Sequence, residues 1–320
     1  MTIPKPSLRL AMLGMIEGNG HPYSWSAIIN GYDPAAMAQC PYPTILDYLG
    51  RQDFASIGIP GARVTHVWTD RPADASKVAA ASLIEHVVSR PEDVIGQVDA
   101  VVIATDDGDD HVARVAPFVE AGLPVFVDKP MATNLADLRQ FVQWQRAGAV
   151  LLSSSGMRYA PELQLSAEQR QQLGELRWIT SFTCKSWERY GIHALEAVYP
   201  LLGPGFETVQ TQHRQGSDIV HLTHRSGVPV TLGAVQDAVG SFGCVHLYGT
   251  GAQIPFLCRD YYNAFRAQLV AFIQMLQTGK PPFHFSQTVE LMAILIAGRR
   301  SRERSGQTIS LASILQETLA

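Results

Sequence analysis

Apolar and polar positions follow different patterns in the two halves of the chain. In the first half, short apolar runs without polar alternation are separated by segments whose apolar residues recur at helical spacing. Unbroken apolar runs are typical of parallel strands that are covered on both faces. The runs therefore predict a doubly wound α/β domain over about residues 1–150, with strands at 8–14, 64–68, 99–105 and 123–128.

From about residue 174 the pattern changes to short runs with period-two alternation, separated by turn residues. This pattern predicts a large, mostly antiparallel, meandering sheet in an α+β domain that spans residues 151–320. Segments 262–277 and 288–300 have helical spacing and are expected to pack on this sheet or back on the first domain. Residues 31–62 are rich in turn formers and predict an insertion, either over a ligand cleft or as a surface excursion.

Composition limits the classes of partner. The 320 residues carry a net charge of −4 without a long run of either sign, which argues against nucleic-acid and membrane partners and favours a small molecule. The first six residues lack the apolar segment of a secretory signal, and no apolar run is long enough to span a membrane, so a cytoplasmic location is expected. The four cysteines are scattered, which predicts reduced thiols and no metal site.

A glycine-rich turn follows the first predicted strand. The order of strand, glycine-rich turn and helix is that of a dinucleotide-binding unit, in which backbone N–H groups and a helix N-terminus hold the pyrophosphate. The G-x-G-x-x-G spacing is not met, because other residues occupy one or more of the glycine positions. The helix is expected to be capped by Ser24. The candidate cofactor residues of the turn are Gly14, Ile16, Gly18, Gly20 and His21.

The ends of the next two strands extend the candidate cofactor site. Asp70 can accept hydrogen bonds from a ribose, which favours NAD, whereas the adjacent Arg71 can bind the 2′-phosphate of NADP. The strand at 99–105 leads into an acidic turn, whose carboxylates either cap the next helix or contact a polar substrate group. The candidate cofactor residues of this region are Thr105, Asp106 and His111.

Lys129 directly follows a buried strand and precedes a proline. Ligands of open α/β sheets bind outside the carboxyl ends of the strands, so a lysine at this position is expected to face a ligand site rather than open solvent. Pro130 lacks a backbone donor and restricts the conformation of Lys129, which helps to orient the amine.

Several of these stretches resemble the glucose–fructose oxidoreductase/inositol dehydrogenase/rhizopine-catabolism family, known as Gfo/Idh/MocA. The matching stretches are 99–105 with His111 downstream, 121–130, 158–161 and 191–193. The most specific of them is Asp-Lys-Pro at 128–130, where the family usually has Glu-Lys-Pro. The resemblance implies an N-terminal Rossmann domain with a parallel sheet and a C-terminal α+β domain with an open-faced, mostly antiparallel sheet. Family members pair through that sheet, so a homodimer or homotetramer is expected.

The resemblance also implies that Lys129 lies beside the nicotinamide and the substrate, and that His193 points into the same pocket. These two residues are the candidate catalytic pair, and His193 is expected in the first turn of a helix. Sugar-oxidising members often have an aspartate four residues before this histidine, whereas this chain has Arg189. The candidate substrate-binding residues are Lys129, Arg158, Trp187, Arg189, Tyr190 and His193.

The main hypothesis is an NAD-dependent or NADP-dependent oxidoreductase. It transfers a hydride between the nicotinamide and a hydroxyl-bearing carbon of a sugar, a sugar derivative or a cyclitol, while Lys129 and His193 handle the proton. One alternative is a lyase or glycosidase that retains NAD and uses transient oxidation, which the missing aspartate favours. A second alternative is a regulator that binds a nucleotide or a sugar without catalysis, which the irregular glycine turn favours.

Overall fold

The apolar runs of the first half form one parallel sheet in the structure, a computed structural model that describes residues 7–238 and 242–319. The first six residues, for which no secretory signal is predicted, lie outside the described residues. The strands of this sheet are β1 (Leu8–Leu13), β2 (Ala62–Trp68), β3 (His86–Val87), β4 (Ala100–Ile103), β5 (Val125–Val127) and β6 (Leu151–Leu152). Every residue of β4 and β5 is buried, as expected for strands covered on both faces.

The strand order of this sheet is β3-β2-β1-β4-β5-β6. The chain therefore extends the sheet to one side of β1 and then returns to build the other side. The reversal between β1 and β4 creates a crevice outside the carboxyl ends of the strands, which is where open α/β sheets bind their ligands. The predicted N-terminal parallel sheet is confirmed.

The helices of the first half are α1 (His21–Asn30), α2 (Pro34–Met37), α3 (Pro43–Gly50), α4 (Pro72–Ala81) and α5 (His111–Glu120). The predicted insertion at 31–62 contains α2 and α3. The prediction that Ser24 caps α1 is wrong, because α1 begins at His21. Ser24 is buried inside the helix and accepts a hydrogen bond from the Tyr48 hydroxyl.

The second half forms a mixed sheet with the order β12-β11-β7-β10-β9-β8-β13. Most of its pairs are antiparallel, but β10 pairs with β7 in parallel, so the sheet is not the simple meander that the sequence predicted. Its elements are α6 (Leu135–Arg146), α7 (Ala167–Leu173), β7 (Leu176–Cys184), α8 (Trp187–Leu202), β8 (Phe206–Arg214), β9 (Ser217–His224), β10 (Val230–Val235), β11 (Cys244–Gly249), β12 (Gln253–Leu257), α9 (Tyr261–Thr278), α10 (Phe285–Glu303), β13 (Ile309–Ser310) and α11 (Leu311–Leu319).

One face of the mixed sheet is covered and the other is open. Helices α8 and α10 pack on the covered face, where Ile179 and Thr183 of β7 are fully buried. On the open face, Trp178 is 40% exposed, and its ring stacks on Tyr248 of β11 at 5.0 Å. The predicted open-faced, mostly antiparallel C-terminal sheet is confirmed in its general form.

The chain forms two compact units, and their boundary differs from a single cut near residue 150. The first unit contains the chain up to Asp128 together with Trp144–Ser153 and Phe265–Pro282. The second unit contains Lys129–Gln143, Ser154–Ala264 and the chain from Phe283 onward. Most of α9, placed by the sequence in the second domain, thus belongs to the first unit. None of the described helices has the length and hydropathy needed to cross a bilayer.

Candidate functional site

A cavity of about 620 Å³ lies in the first unit at the carboxyl ends of β1 and β2. Its walls come from the glycine turn after β1, from the insertion and from the residues that follow β2. Four of the predicted cofactor residues lie together in this lining, namely Ile16, Gly18, Asp70 and Arg71. Tyr42 of the insertion also lines the cavity, so the insertion contributes to the candidate cofactor site.

The glycine turn fits a pyrophosphate although its spacing is irregular. Gly14 has a φ of +90°, and a Cβ there would lie 2.7 Å from Cγ2 of Thr105, so only glycine fits. Gly18 has a φ of +77° with open space where a side chain would stand, which leaves its backbone accessible from the cavity. The first turn of α1 has no acidic residue to repel an anion. Gly14 itself borders a second cavity of about 200 Å³.

Gly20 has a different role from the predicted contact with the cofactor. A Cβ on Gly20 would lie 2.6 Å from Cδ1 of Ile45 and 2.7 Å from the ring of Tyr42. This glycine therefore lets the insertion pack closely on the start of α1.

Asp70 can accept further hydrogen bonds beyond the two that it already accepts. Its Oδ2 accepts the backbone N–H of Met15 at 2.9 Å, and its Oδ1 accepts Nη2 of Arg114 at 2.8 Å. Arg114 also binds Asp110, and these two carboxylates raise the pKa of Arg114 despite its burial. Each carboxylate oxygen has a further lone pair, so Asp70 can still accept from ribose hydroxyls while Met15 and Arg114 hold it in place.

Arg71 is engaged by its own neighbour. Its Nε donates to Oδ2 of Asp74 at 2.7 Å, and its Nη2 lies 2.7 Å from the same oxygen. Asp70 and Asp74 both line the cavity beside Arg71, so a 2′-phosphate bound to Arg71 would lie near two carboxylates. This charge distribution favours ribose hydroxyls over a phosphate.

The three candidate cofactor residues that follow β4 are buried and do not line the 620 Å³ cavity. Thr105 and His111 have no exposed surface, and Asp106 is 2% exposed. Nε2 of His111 donates to the carbonyl oxygen of Thr105 at 2.8 Å, which ties the first residue of α5 to the end of β4. Thr105 and His111 therefore support the turn between β4 and α5.

His21 lies against a buried carboxylate. Its Nδ1 is 2.6 Å from Oδ2 of Asp128, and its ring stacks on Trp25 at 4.1 Å. Asn19 donates to the same Asp128 oxygen at 3.3 Å and to the carbonyl of Ala104 at 3.1 Å. Asn19 and His21 thus join the glycine turn to the end of β5, a role that the sequence did not indicate for Asn19 or Asp128.

In the second unit, three predicted residues come together around the Tyr190 ring. Lys129 is 2% exposed, and its Nζ lies 4.9 Å from the centroid of that ring. The imidazole of His193 meets the ring edge-on at 4.8 Å. The peptide bond between Lys129 and Pro130 is cis. The lysine and the histidine predicted to be catalytic are thus assembled on one aromatic side chain.

His193 is oriented by a serine that the sequence analysis missed. The Ser155 hydroxyl lies 2.7 Å from Nδ1 of His193 and also accepts the backbone N–H of Met157 at 3.1 Å. A hydrogen bond donated by this hydroxyl to Nδ1 would leave the proton of a neutral imidazole on Nε2. His193 lies in the second turn of α8, so the predicted first-turn position, and the dipole argument based on it, is wrong.

Arg158 belongs to a buried ion pair. Its Nε donates to Oε2 of Glu196, its Nη1 donates to Gln287 at 3.0 Å, and its guanidinium lies over the Phe283 ring at 4.2 Å. Burial raises the pKa of Glu196, and Arg158 counteracts that rise. Arg158 thus holds Glu196 inside the second unit, which differs from the predicted contact with substrate.

Trp187 is a core residue, and the prediction that it binds substrate is not supported. It is 1% exposed, and its Nε1 donates to the carbonyl oxygen of Leu295 in α10 at 3.0 Å. A Cβ on Gly191 or Gly298 would lie 2.5 Å from the indole, so both glycines are needed for this packing. Arg189 lies in the first turn of α8 and is half-buried.

Lys185 is a further cation at this place that the sequence analysis did not single out. Its Nζ donates to the Tyr190 hydroxyl at 2.7 Å and lies 4.1 Å from the ring centroid. The only advance signal was its position at the end of a strand, directly before a helix. Among residues 7–238 and 242–319, no group of three or more His, Cys, Asp and Glu side chains is arranged to hold a metal ion.

Residues 47–154 match the model of a family described as oxidoreductases with an NAD-binding Rossmann fold. The chain is 39% identical over 103 residues to inositol 2-dehydrogenase 1 of Saccharopolyspora erythraea, covering 31% of this chain and 30% of that protein. It is 44% identical over 78 residues to inositol 2-dehydrogenase of Rhodococcus erythropolis, covering 24% of this chain and 22% of that protein. These alignments span less than a third of the curated relatives.

The fold is similar over nearly the whole chain to scyllo-inositol dehydrogenase from Lactobacillus casei, solved with bound NAD(H) and scyllo-inositol. The TM-score is 0.73 at 13% identity, covering 96% of this chain and 99% of that chain. The first unit is therefore an NAD-binding Rossmann domain, as predicted. The matched family model, over residues 47–154, is that of the Gfo/Idh/MocA oxidoreductases, which confirms the resemblance seen in the sequence.

Proposed function

We propose that the protein is an NAD-dependent dehydrogenase or reductase that acts on a hydroxyl-bearing carbon of a sugar, a sugar derivative or a cyclitol. The single observation that carries this proposal is the grouping of buried Lys129 with Tyr190 and His193. Lys129 directly follows Asp128, the residue at which the chain leaves the first unit after β5. Two aligned relatives are named inositol 2-dehydrogenases, so cyclitols are the first substrates to test.

The cofactor supplies the hydride acceptor or donor, and the residues of the glycine turn together with Asp70 fit its pyrophosphate and ribose. During oxidation the substrate hydroxyl must lose a proton as its carbon loses a hydride. Lys129 exchanges this proton with the substrate oxygen, and His193 donates a hydrogen bond from Nε2 to orient the same oxygen. General acid–base assistance of this kind accelerates a reaction by about 100- to 10,000-fold.

NAD is proposed over NADP because Asp70 and Asp74 lie on either side of Arg71 in the cavity lining. Titration of the purified protein with NAD and with NADP, followed by calorimetry, tests this choice. We expect tighter binding of NAD. Tighter binding of NADP would show that Arg71 leaves Asp74 to meet the 2′-phosphate.

Turnover is tested with NAD and a panel of inositols, sugars and polyols by following NADH. We expect NADH with at least one of them. Product without net NADH, together with NAD retained through purification, would instead support the redox-neutral lyase or glycosidase. That alternative is favoured by Arg189, which stands where sugar-oxidising members often have an aspartate. Failure to bind either nucleotide would reject both the dehydrogenase and the NAD-retaining lyase or glycosidase, and would favour the non-catalytic regulator.

Pairing of two copies through the open face of the mixed sheet is part of the same proposal. The face carries the exposed Trp178, the Tyr248 ring stacked on it and His246 stacked on Tyr248 at 4.3 Å. Trp178→Glu is expected to reduce the mass measured by light scattering to that of the monomer. A wild-type protein that is already monomeric would overturn this pairing.

A further inference from the structure

Lys185 has a backbone conformation that residues other than glycine rarely adopt. It lies between β7 and α8 with a φ of +62°, in the left-handed region that favours glycine. Residues held in this region by their surroundings are found disproportionately at binding and catalytic sites. A lysine at a position suited to glycine therefore suggests that its side chain has a function.

The side chain of Lys185 extends to the group already formed by Lys129 and Tyr190. Its Nζ is 2.7 Å from the Tyr190 hydroxyl, and both lysine Nζ atoms lie within 4.9 Å of the Tyr190 ring centroid. Burial raises the pKa of the Cys184 thiol, and Lys185 and Lys129 both counteract that rise, so both lysine side chains lie near this thiol. We call Lys129, Lys185 and Tyr190 the lysine–tyrosine cluster.

Lys185 has no carboxylate partner in the part of the chain that the structure describes. Glu188, the nearest acid in its own segment, is bound to Arg302, and Glu196 on the same helix is bound to Arg158. A half-buried ammonium group without a counter-ion is unfavourable. The nearby N-terminus of α8 adds to the positive potential, because the side chain of its N-cap residue, Ser186, makes no capping hydrogen bond.

The hydroxyl of Tyr190 must direct its hydrogen away from Lys185. Its oxygen accepts the ammonium hydrogen of Lys185, so its own O–H is left to donate elsewhere. Lysine can only donate hydrogen bonds at neutral pH. Lys185 and Tyr190 thus offer two donors and a positive charge, which match the two acceptor oxygens of a carboxylate.

We propose that Lys185 and Tyr190 bind a carboxylate of the substrate, so that the preferred substrate is a sugar acid and not a neutral sugar or cyclitol. The inference rests on the proposed dehydrogenase function and specifies its substrate class. The carboxylate sits at Lys185 and Tyr190, and the hydroxyl that is oxidised faces Lys129 and His193.

The first test compares acids with their neutral counterparts in the full-length enzyme with NAD. Suitable pairs are glucuronate with glucose, galacturonate with galactose, and gluconate with sorbitol, alongside myo-inositol. We expect kcat/KM to favour at least one acid by about tenfold or more, as for a hydrogen bond to a charged group. A wild-type enzyme that prefers every neutral partner would overturn the proposal.

Three lysine variants show whether Lys185 causes the preference. In Lys185→Met the ratio of kcat/KM for the acid over its neutral partner is expected to fall about tenfold, mainly through KM. Lys185→Gly suits the positive φ, so it should show the same loss without a lower melting temperature. Lys280→Met removes an exposed lysine and should keep the wild-type ratio. A wild-type ratio in Lys185→Gly would overturn the proposal.

Equilibrium binding separates this proposal from the proposed function. Glucuronate, galacturonate and gluconate are titrated into the NAD-loaded protein by calorimetry, with wild type and Lys185→Gly compared. Binding that depends on Lys185, without NADH from any substrate, would support the carboxylate site and reject the dehydrogenase. NADH from neutral cyclitols, with no Lys185-dependent binding of the acids, would do the reverse. Preference for glucose 6-phosphate over glucuronate would overturn the carboxylate assignment.

Discussion

The candidate ligand-binding surfaces of the two units are built in different ways. In the first unit, the cavity is formed by turns at the ends of parallel strands, and Gly18 leaves its backbone accessible from the cavity. In the second unit, the side chains of Lys129, Lys185 and His193 all contact the ring of Tyr190. The first surface depends on the path of the backbone, whereas the second depends on the identity of a few side chains.

This difference indicates a division of labour between the units. Backbone N–H groups and one carboxylate suit a cofactor that is the same in every turnover, because they fix position without reacting. Side chains that donate, accept and carry charge suit a reacting substrate. Substitutions in the first unit should therefore change nucleotide affinity, and substitutions in the second should change turnover.

The largest effect is expected from Lys129→Ala. Removing the amine takes away the proton acceptor, so kcat should fall about 100- to 10,000-fold while the Kd for NAD stays within a few-fold of wild type. Lys129→Met, which preserves more of the buried volume, should behave in the same way. Steady-state kinetics and nucleotide titration measure the two quantities. Near-normal kcat in either variant would remove Lys129 from the mechanism.

A smaller effect in the other unit is expected from Asp70→Asn. The neutral amide is a weaker acceptor for ribose hydroxyls, so the Kd for NAD should rise about tenfold while kcat at saturating NAD stays nearly constant. The affinity for NADP should fall less, since one negative charge is lost from the lining. Asp47→Asn, at an exposed salt bridge, serves as the control and should leave both affinities unchanged. A loss of kcat with unchanged Kd would contradict the division between the units.

Ser155→Ala is expected to have a modest effect on turnover. Without the serine hydroxyl, Nδ1 of His193 loses the partner that fixes its tautomer, so kcat should fall about two- to tenfold with little change in KM. Ser155→Thr keeps the hydroxyl and should restore kcat, which a purely structural role would not require. If the threonine variant were as slow as the alanine variant, Ser155 would have no positioning role.

The elements that the sequence predicted well are those with a strong local pattern. The buried runs that became β4 and β5 and the long helices α9 and α10 show their period within the segment itself. Strand β3 was missed because its two residues are both exposed, so no apolar pattern marks it. The parallel pairing of β10 with β7 was also missed, because side chains alternate identically in parallel and antiparallel strands.

The same distinction applies to the candidate site. Lys129 was identified because its strand and its proline are adjacent in sequence. Ser155 and Lys185 were not, because only tertiary packing brings them to His193 and Tyr190. Trp187 lies beside the predicted pocket residues in sequence, yet its position on α8 directs it into the core. Local sequence therefore predicts where the chain turns toward a ligand more readily than which distant side chains meet there.

The smallest expected effect is on the pH dependence of the free energy of unfolding, through a histidine of the first unit. His66 on β2 is 5% exposed, and burial lowers its pKa, partly offset by its hydrogen bond to Gln97. In the unfolded chain a histidine has a pKa of about 6.5, so His66 binds a proton at a higher pH in the unfolded chain than in the folded chain. The free energy of unfolding should be highest above that pH and should decrease as the pH falls toward the pKa of folded His66.

The variant His66→Gln removes this titration and isolates its contribution. Denaturant unfolding of both proteins at several pH values between about 7.5 and 5 gives the difference in their free energies of unfolding. That difference should shift in favour of His66→Gln as the pH decreases, and the nucleotide affinity should be the same in both proteins at every pH. Parallel pH profiles would mean that His66 accepts its proton as easily in the folded sheet as in the unfolded chain.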